Sequence, residues 1–160
     1  MYFVPLGSLN LRNPQENQYV WGVIPIVNLE GKVKGSIYNF GLMTFNYLID
    51  NSKITGNMRS YGLIFGINDL GDNSKITGNM ESYGLWNGGN KVHENSEIRG
   101  YIGSYSLLIG DNDLGDNSKI TGNVVSRGII SQTPTGISIG TRIDRNLENY
   151  VVKNKENSEK

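Results

Sequence analysis

The chain has 160 residues, enough for one domain that closes a modest core without cross-links. Its 15 basic and 15 acidic side chains balance, so no global field steers it toward nucleic acid or an anionic membrane, and the absence of cysteine excludes disulfides, thiolate metal sites and a cysteine nucleophile. Glycine is abundant at 21 and helix-forming runs of Ala, Leu, Glu and Lys are scarce, which leaves turns and strands to dominate.

Residues 1–30 hold Pro5, Pro14 and Pro25 and no clear repeating unit, and read as a cap or assembly segment over the first exposed sheet edge. They lack the basic-then-apolar pattern of a signal peptide, and no later stretch offers the about 18 uninterrupted apolar residues of a membrane span. A repeat starts near position 31. A first copy aligns Lys32, Val33, Gly35, Ile37, Phe40, Gly41 and Leu42 with Lys53, Ile54, Gly56, Met58, Tyr61, Gly62 and Leu63, one residue short of the later period. NSKITGN then begins at Asn51, Asn73 and Asn117, with a diverged NSEIRGY at Asn95, so the spacings 73−51, 95−73 and 117−95 are all 22. A faint further copy covers 136–143, and beyond it 144–160 reads as a polar tail.

Within a unit, Lys53 to Met58 alternates polar and apolar, the period of a half-buried strand. That turns Ile54 and Met58 inward, and with them Ile76 and Met80, Ile98 and Ile102, and Ile120 and Val124. Leu48, Leu70, Val92 and Leu114 give a second inward column, and Leu42, Leu63, Leu85, Leu107 and Ile129 a third. Three apolar columns predict three walls. A unit this short cannot bury its own apolar face, so the units must stack: the expected fold is an all-β parallel β-solenoid over 31–143, with about 22 residues per coil, five to six coils and a length of roughly 25–30 Å. Between the walls, Asn51, Asn73, Asn95 and Asn117 read as turns whose amides stack into a structural hydrogen-bonded column. Glu97 falls between Lys75 and Lys119 and relieves their repulsion.

The unit, Asn-x-x-Ile-x-Gly-Asn with Tyr-Gly-Leu a few residues later, resembles the repeats of right-handed parallel β-helices, the pectate-lyase-like and carbohydrate-binding proteins, over 31–130. Phage tail spikes, fibres and surface adhesins are similar in architecture. The resemblance therefore implies a stable rod, carbohydrate as a ligand class, and a virion or cell-surface setting. The clustered acids with Arg or Lys that such enzymes carry on one wall do not map onto this sequence, and such chains are typically much longer.

Candidate chemistry is sparse. His93 lies in a turn with no partner legible in the sequence, and nothing asks for a metal or another cofactor. The strings GINDLGD and GDNDLGD, with Asp69, Asp72, Asp111, Asp113 and Asp116, lack the spacing of a calcium-binding loop, and turn formation accounts for them. Gly56, Gly78, Gly100 and Gly122 mark tight bends or close coil packing. Thr55, Thr77 and Thr121 would suit an ice-binding face if Arg99 did not interrupt the column. Phe40, Tyr61, Tyr83 and Tyr105, ending in Arg127, form an aromatic column for which self-stacking is the favoured reading; Tyr61, Tyr83, Tyr105 and Arg127 are also the best candidates for holding a small ligand.

Met43, Ile64, Trp86, Leu108 and Ile130 follow the third column and are apolar although alternation points them outward, which predicts a homodimer or homotrimer interface along them. The alternative is a bend after Gly62, Gly84 and Gly128 that turns both columns inward. The expectation is a non-enzymatic structural or binding solenoid, a fibre, spike or adhesin module that self-associates; a β-helix lyase or glycosidase and a self-polymerising filament are the alternatives.

Overall fold

The computed structural model describes residues 1–128 and, as backbone, the strands Arg142–Ile143 and Leu147–Val151. The chain is all-β, a parallel β-solenoid of about six turns with about 22 residues per turn. A small sheet stacks the two-residue strands Lys32–Val33, Lys53–Ile54, Lys75–Ile76, Glu97–Ile98, Lys119–Ile120 and Arg142–Ile143. A second, larger sheet takes the rest of each coil: single strands Ile37–Leu48 and Met58–Leu70 in two coils, then broken pairs, Met80–Gly84 with Asn87–Val92 and Ile102–Ser106 with Ile109–Leu114.

The turn between the sheets is set by Asn51, Asn73, Asn95 and Asn117, whose φ angles of 59°, 54°, 55° and 54° lie in the left-handed region that asparagine tolerates. These side chains are exposed and do not form the expected amide column. Their backbone N–H groups instead donate to the carbonyls of the next coil, Asn51 to Asp72, Asn73 to Glu94 and Asn95 to Asp116, each at 2.9 Å. The serine that follows is buried, and Ser74 Oγ donates to Ile49 O (3.1 Å) while accepting from Ser52 N (3.2 Å).

Two of the three expected apolar columns are interior. Ile54, Ile76, Ile98 and Ile120 are fully buried with Met58, Met80, Ile102 and Val124, and Leu48, Leu70, Val92 and Leu114 face them. The third column is not: Leu63 is 65% and Leu107 56% exposed, and Leu42 and Leu85 are exposed with them. Alternation running from buried Met58 and Ser60 already places Leu63 on the outer face. The inner side of that corner is filled by backbone, since a side chain at Gly62 would meet Phe65 O at 1.7 Å and one at Gly84 would meet Asn87 O at 2.1 Å. There are two apolar walls and an external leucine ridge. Ile129 lies outside the described residues.

What fills the interior toward the ridge is polar. Asn46 Nδ2 donates to Asn68 Oδ1 (2.9 Å), Asn68 to Asn90 (2.9 Å) and Asn90 to Asn112 (2.8 Å), a buried amide ladder through four coils. Each Nδ2 also donates across the interior to the facing strand, at Arg59 O (3.0 Å), Glu81 O (2.7 Å), Gly103 O (2.9 Å) and Val125 O (2.8 Å). One residue type thus ties coil to coil and wall to wall.

The strand ladder reaches beyond the legible repeat at both ends, with a graded coil length. Tyr2 pairs with Val20 and Leu6 with Ile24, 18 positions on; Gln18 pairs with Ile37, 19 on; Lys32 pairs with Lys53, 21 on. A register shift between Gly41 and Met43 restores 22, and Val124 pairs with Leu147, 23 on. Residues 2–30, expected as a cap, are therefore strands in register with the coils, with turn residues Asn13 (φ 49°) and Gly31 (φ 78°) in place of Asn51. In the expected tail, Leu147–Val151 is a strand; the remainder of 144–160 lies outside the described residues.

Asn68→Ala should lower stability by about 2–4 kcal/mol, because it strands Asn90 Oδ1 and Glu81 O in the interior, whereas Asn73→Gly, which suits a positive φ, should change it by less than about 0.5 kcal/mol. Urea midpoints of the two variants measure this, and equal losses would show that the interior ladder carries no special weight.

Candidate functional site

Parallel pairing puts Trp21, Phe40, Tyr61, Tyr83 and Tyr105 in one outward column. Their rings stack face to face at centroid distances of 4.4, 4.8, 5.0 and 4.9 Å. Arg127 lies over the Tyr105 ring at 5.7 Å, and the backbone register sets Tyr150 beside Arg127. The column starts one coil earlier than the sequence indicates, since Trp21 is 19 residues from Phe40 and escapes a 22-residue search. The faces of Tyr61 and Tyr83 are spent on their neighbours, each such contact contributing about 0.5–1.5 kcal/mol, and only their edges meet solvent.

Two residues before each of these rings runs a second column: Tyr19 stacks on Tyr38 (4.9 Å), Arg59 lies over Tyr38 (5.7 Å), and Arg59 Nη2 meets Glu81 Oε1 (2.9 Å). Glu81 is 2% exposed, the one buried acid among the described residues. Tyr83 OH donates to its Oε2 (2.8 Å) and Tyr101 supplies a further hydrogen bond. Burial alone would push this carboxyl up; the hydrogen bonds from Tyr101, Arg59 and Tyr83 outweigh it and hold the group below the usual carboxylate range. Burial and the same carboxylate push the Tyr83 and Tyr101 phenols well above their ordinary value. The result is a fixed, ionised carboxylate held by proton-retaining tyrosines. Opposite charges at one register position, Arg59 and Glu81, 22 residues apart, were the sequence signal for this cluster.

Above Glu81 the column holds Gly103, part of a coil that leaves the repeat at several positions together. Where Lys75, Thr77 and Asn79 or Lys119, Thr121 and Asn123 stand in the neighbouring coils, this one has Glu97, Arg99 and Tyr101. A side chain at Gly103 would meet Tyr105 Cε2 at 2.5 Å, so the Tyr105 ring leans over the space that glycine leaves. A cleft of about 550 Å³ opens there, lined by Arg99, Tyr101, Tyr105, Asn79, Asn123 and Val125 among others. Arg99 Nε donates to Glu97 Oε1 (3.0 Å) and Lys75 pairs with the other oxygen, and these two partners, Lys75 first, hold the Glu97 carboxyl below its usual range.

The remaining expected residues fall elsewhere. Met43 is in register with Phe65, not Ile64, because Ile64 belongs to the register shift. Met43, Ile64 and Leu108 are half-buried, Trp86 is 57% exposed, and Ile130 lies outside the described residues. The expected outer stripe is thus carried by the neighbouring leucines with Trp86. The alternative bend, turning both columns inward, is not formed at Gly62 or Gly84. His93 does have partners, supplied by the coil below: Nε2 meets Asp69 Oδ1 at 2.9 Å and Nδ1 lies 3.8 Å from Asp72 Oδ1. Among the described residues, no group of three or more His, Asp and Glu is placed to hold a metal, and no helix is long and apolar enough to cross a membrane.

Glu81→Gln should cost about 2–4 kcal/mol at neutral pH, since it leaves Arg59 without its counter-charge in a largely buried pair. Because the folded-state pKa is lowered, the stability from ionised Glu81 is present above the ordinary glutamate range and lost as pH falls through the folded value. The wild-type advantage in urea unfolding should therefore shrink steadily on acidification, and an advantage independent of pH would contradict the ion-pair assignment.

Set against family models, curated proteins and solved structures, the chain matches none of them.

Proposed function

We propose that this protein is a non-enzymatic rod module, of the fibre, spike or surface-adhesin kind, that associates side by side with copies of itself. The observation that carries this reading is the ridge of Leu42, Leu63, Leu85 and Leu107 with Trp86, exposed in successive coils on the outside of a corner where no core needs them. Soluble monomers rarely keep a contiguous apolar patch beyond a few hundred Å² in water. A straight row repeated at the coil spacing is self-complementary, which suits a closed dimer or trimer.

The polar chemistry supports a scaffold over a catalyst, because the buried carboxylate of Glu81 has its oxygens taken by Arg59 and Tyr83. Carbohydrate, the ligand class implied by the likeness to right-handed β-helix rods of tail spikes and adhesins, would meet the tyrosine column at its edges.

Light scattering on the purified chain should give a dimer or trimer, and Leu63→Asp with Leu85→Asp should give a monomer with an unchanged far-ultraviolet spectrum. Both positions already face solvent, so the double variant should fold. A wild-type monomer, or an assembly that survives both charges, would remove the ridge as an interface.

A further inference from the structure

We infer that the cleft of the divergent coil is a binding site for a small aromatic carboxylate, a flat ring bearing one negative charge. The first ground is that the departures of coil 95–106 from the repeat converge on this one place. Tyr101 supplies a wall and Arg99 a cation, and Gly103 leaves the space over which Tyr105, a member of the regular aromatic column, leans to form the other wall. Strand register requires neither Arg99 nor Tyr101, because the coils on either side keep it with Thr and Asn at those positions.

The second ground is charge. Arg59 is matched by Glu81, but Glu97 is shared by Lys75 and Arg99 and stands in register with Lys119 as well, so the cations around Glu97 outnumber it. Glu97 holds Arg99 through Nε, which leaves the terminal guanidinium nitrogens to grip a carboxylate in the two-pronged manner that arginine favours. The third ground is shape. Tyr101 and Tyr105 flank the opening, Tyr105 with its edge because its faces lie against Tyr83 and Arg127, so a flat ring meets aromatic surface on two sides. A purely apolar ligand would desolvate Arg99 and the amides of Asn79 and Asn123 without compensation. A ligand that is all charge would leave the tyrosine walls unused. A ring with a single carboxylate satisfies both.

Calorimetric titration of the full chain with 4-hydroxybenzoate should show saturable binding, one per chain. Binding of 4-hydroxybenzamide, the same ring without the charge, and of acetate, the charge without the ring, should be at least ten-fold weaker. Arg99→Thr restores the residue found at Thr77 and Thr121, should fold as the wild type, and should weaken 4-hydroxybenzoate at least ten-fold. The Leu63→Asp, Leu85→Asp variant should bind as the wild type, which separates this site from the association proposed above. Absence of saturable binding, equal affinity for the amide, or undiminished binding by Arg99→Thr would each overturn the assignment; if Arg99→Thr failed to fold, the three probes would decide alone.

Discussion

Parallel pairing of each coil with the next forces every side chain to sit on its own counterpart, one strand spacing away. Whatever chemistry occupies a position must therefore tolerate being stacked on itself. Aliphatic side chains do, which gives the Ile54 and Leu48 columns. Carboxamides do, because each is donor and acceptor at once, which gives the ladder from Asn46 to Asn112. Aromatic rings do, from Trp21 to Tyr105. Like charges tolerate it less well: Lys32, Lys53 and Lys75 do stack in register, but Glu97 breaks that run before Lys119, and Glu81 stands above Arg59.

The cross-section follows from the same constraint. Aliphatic columns need width, and they fill the part of the coil between the small sheet and the walls beside it. Toward the leucine corner the walls converge until backbone carbonyls occupy the inner side, and glycine, serine, threonine and asparagine fill what remains inside. The amide ladder belongs at this narrowing, where a planar side chain can reach both the next coil and the opposite wall. The leucines that cannot enter stand outside as the ridge, so the apolar surface offered to a partner is a consequence of how tightly the corner closes.

A repeat that must stack on itself also makes its exceptions informative. Arg59, Glu81, Gly103 and Val125 share one position yet have nothing in common as residue types. Around that position lie the buried carboxylate, the two phenols that hold it and the cleft lined by Arg99. The regular columns build the rod; the irregular one carries the individual chemistry.

The period of 22, the strand alternation and the absence of helix signals were enough to determine the solenoid, its parallel stacking, the Ile, Met and Leu core columns and the aromatic column, because spacing alone decides which residues meet when strands are in register. Parity also held the answer for Leu63, which shares the outer face of Tyr61, and for Asn68, which shares the inner face of Leu70. The tertiary structure alone decided what depends on closing the coil: the tightness of the corner that expels the leucines, and the shortened first coils that hide Trp21 from a fixed period. It also decided the donation of turn hydrogen bonds by backbone where side chains were expected, and the meeting of His93 with Asp69. These are set by the path of the backbone between strands, and a one-dimensional pattern records which residues recur but not how sharply the chain bends to make them recur.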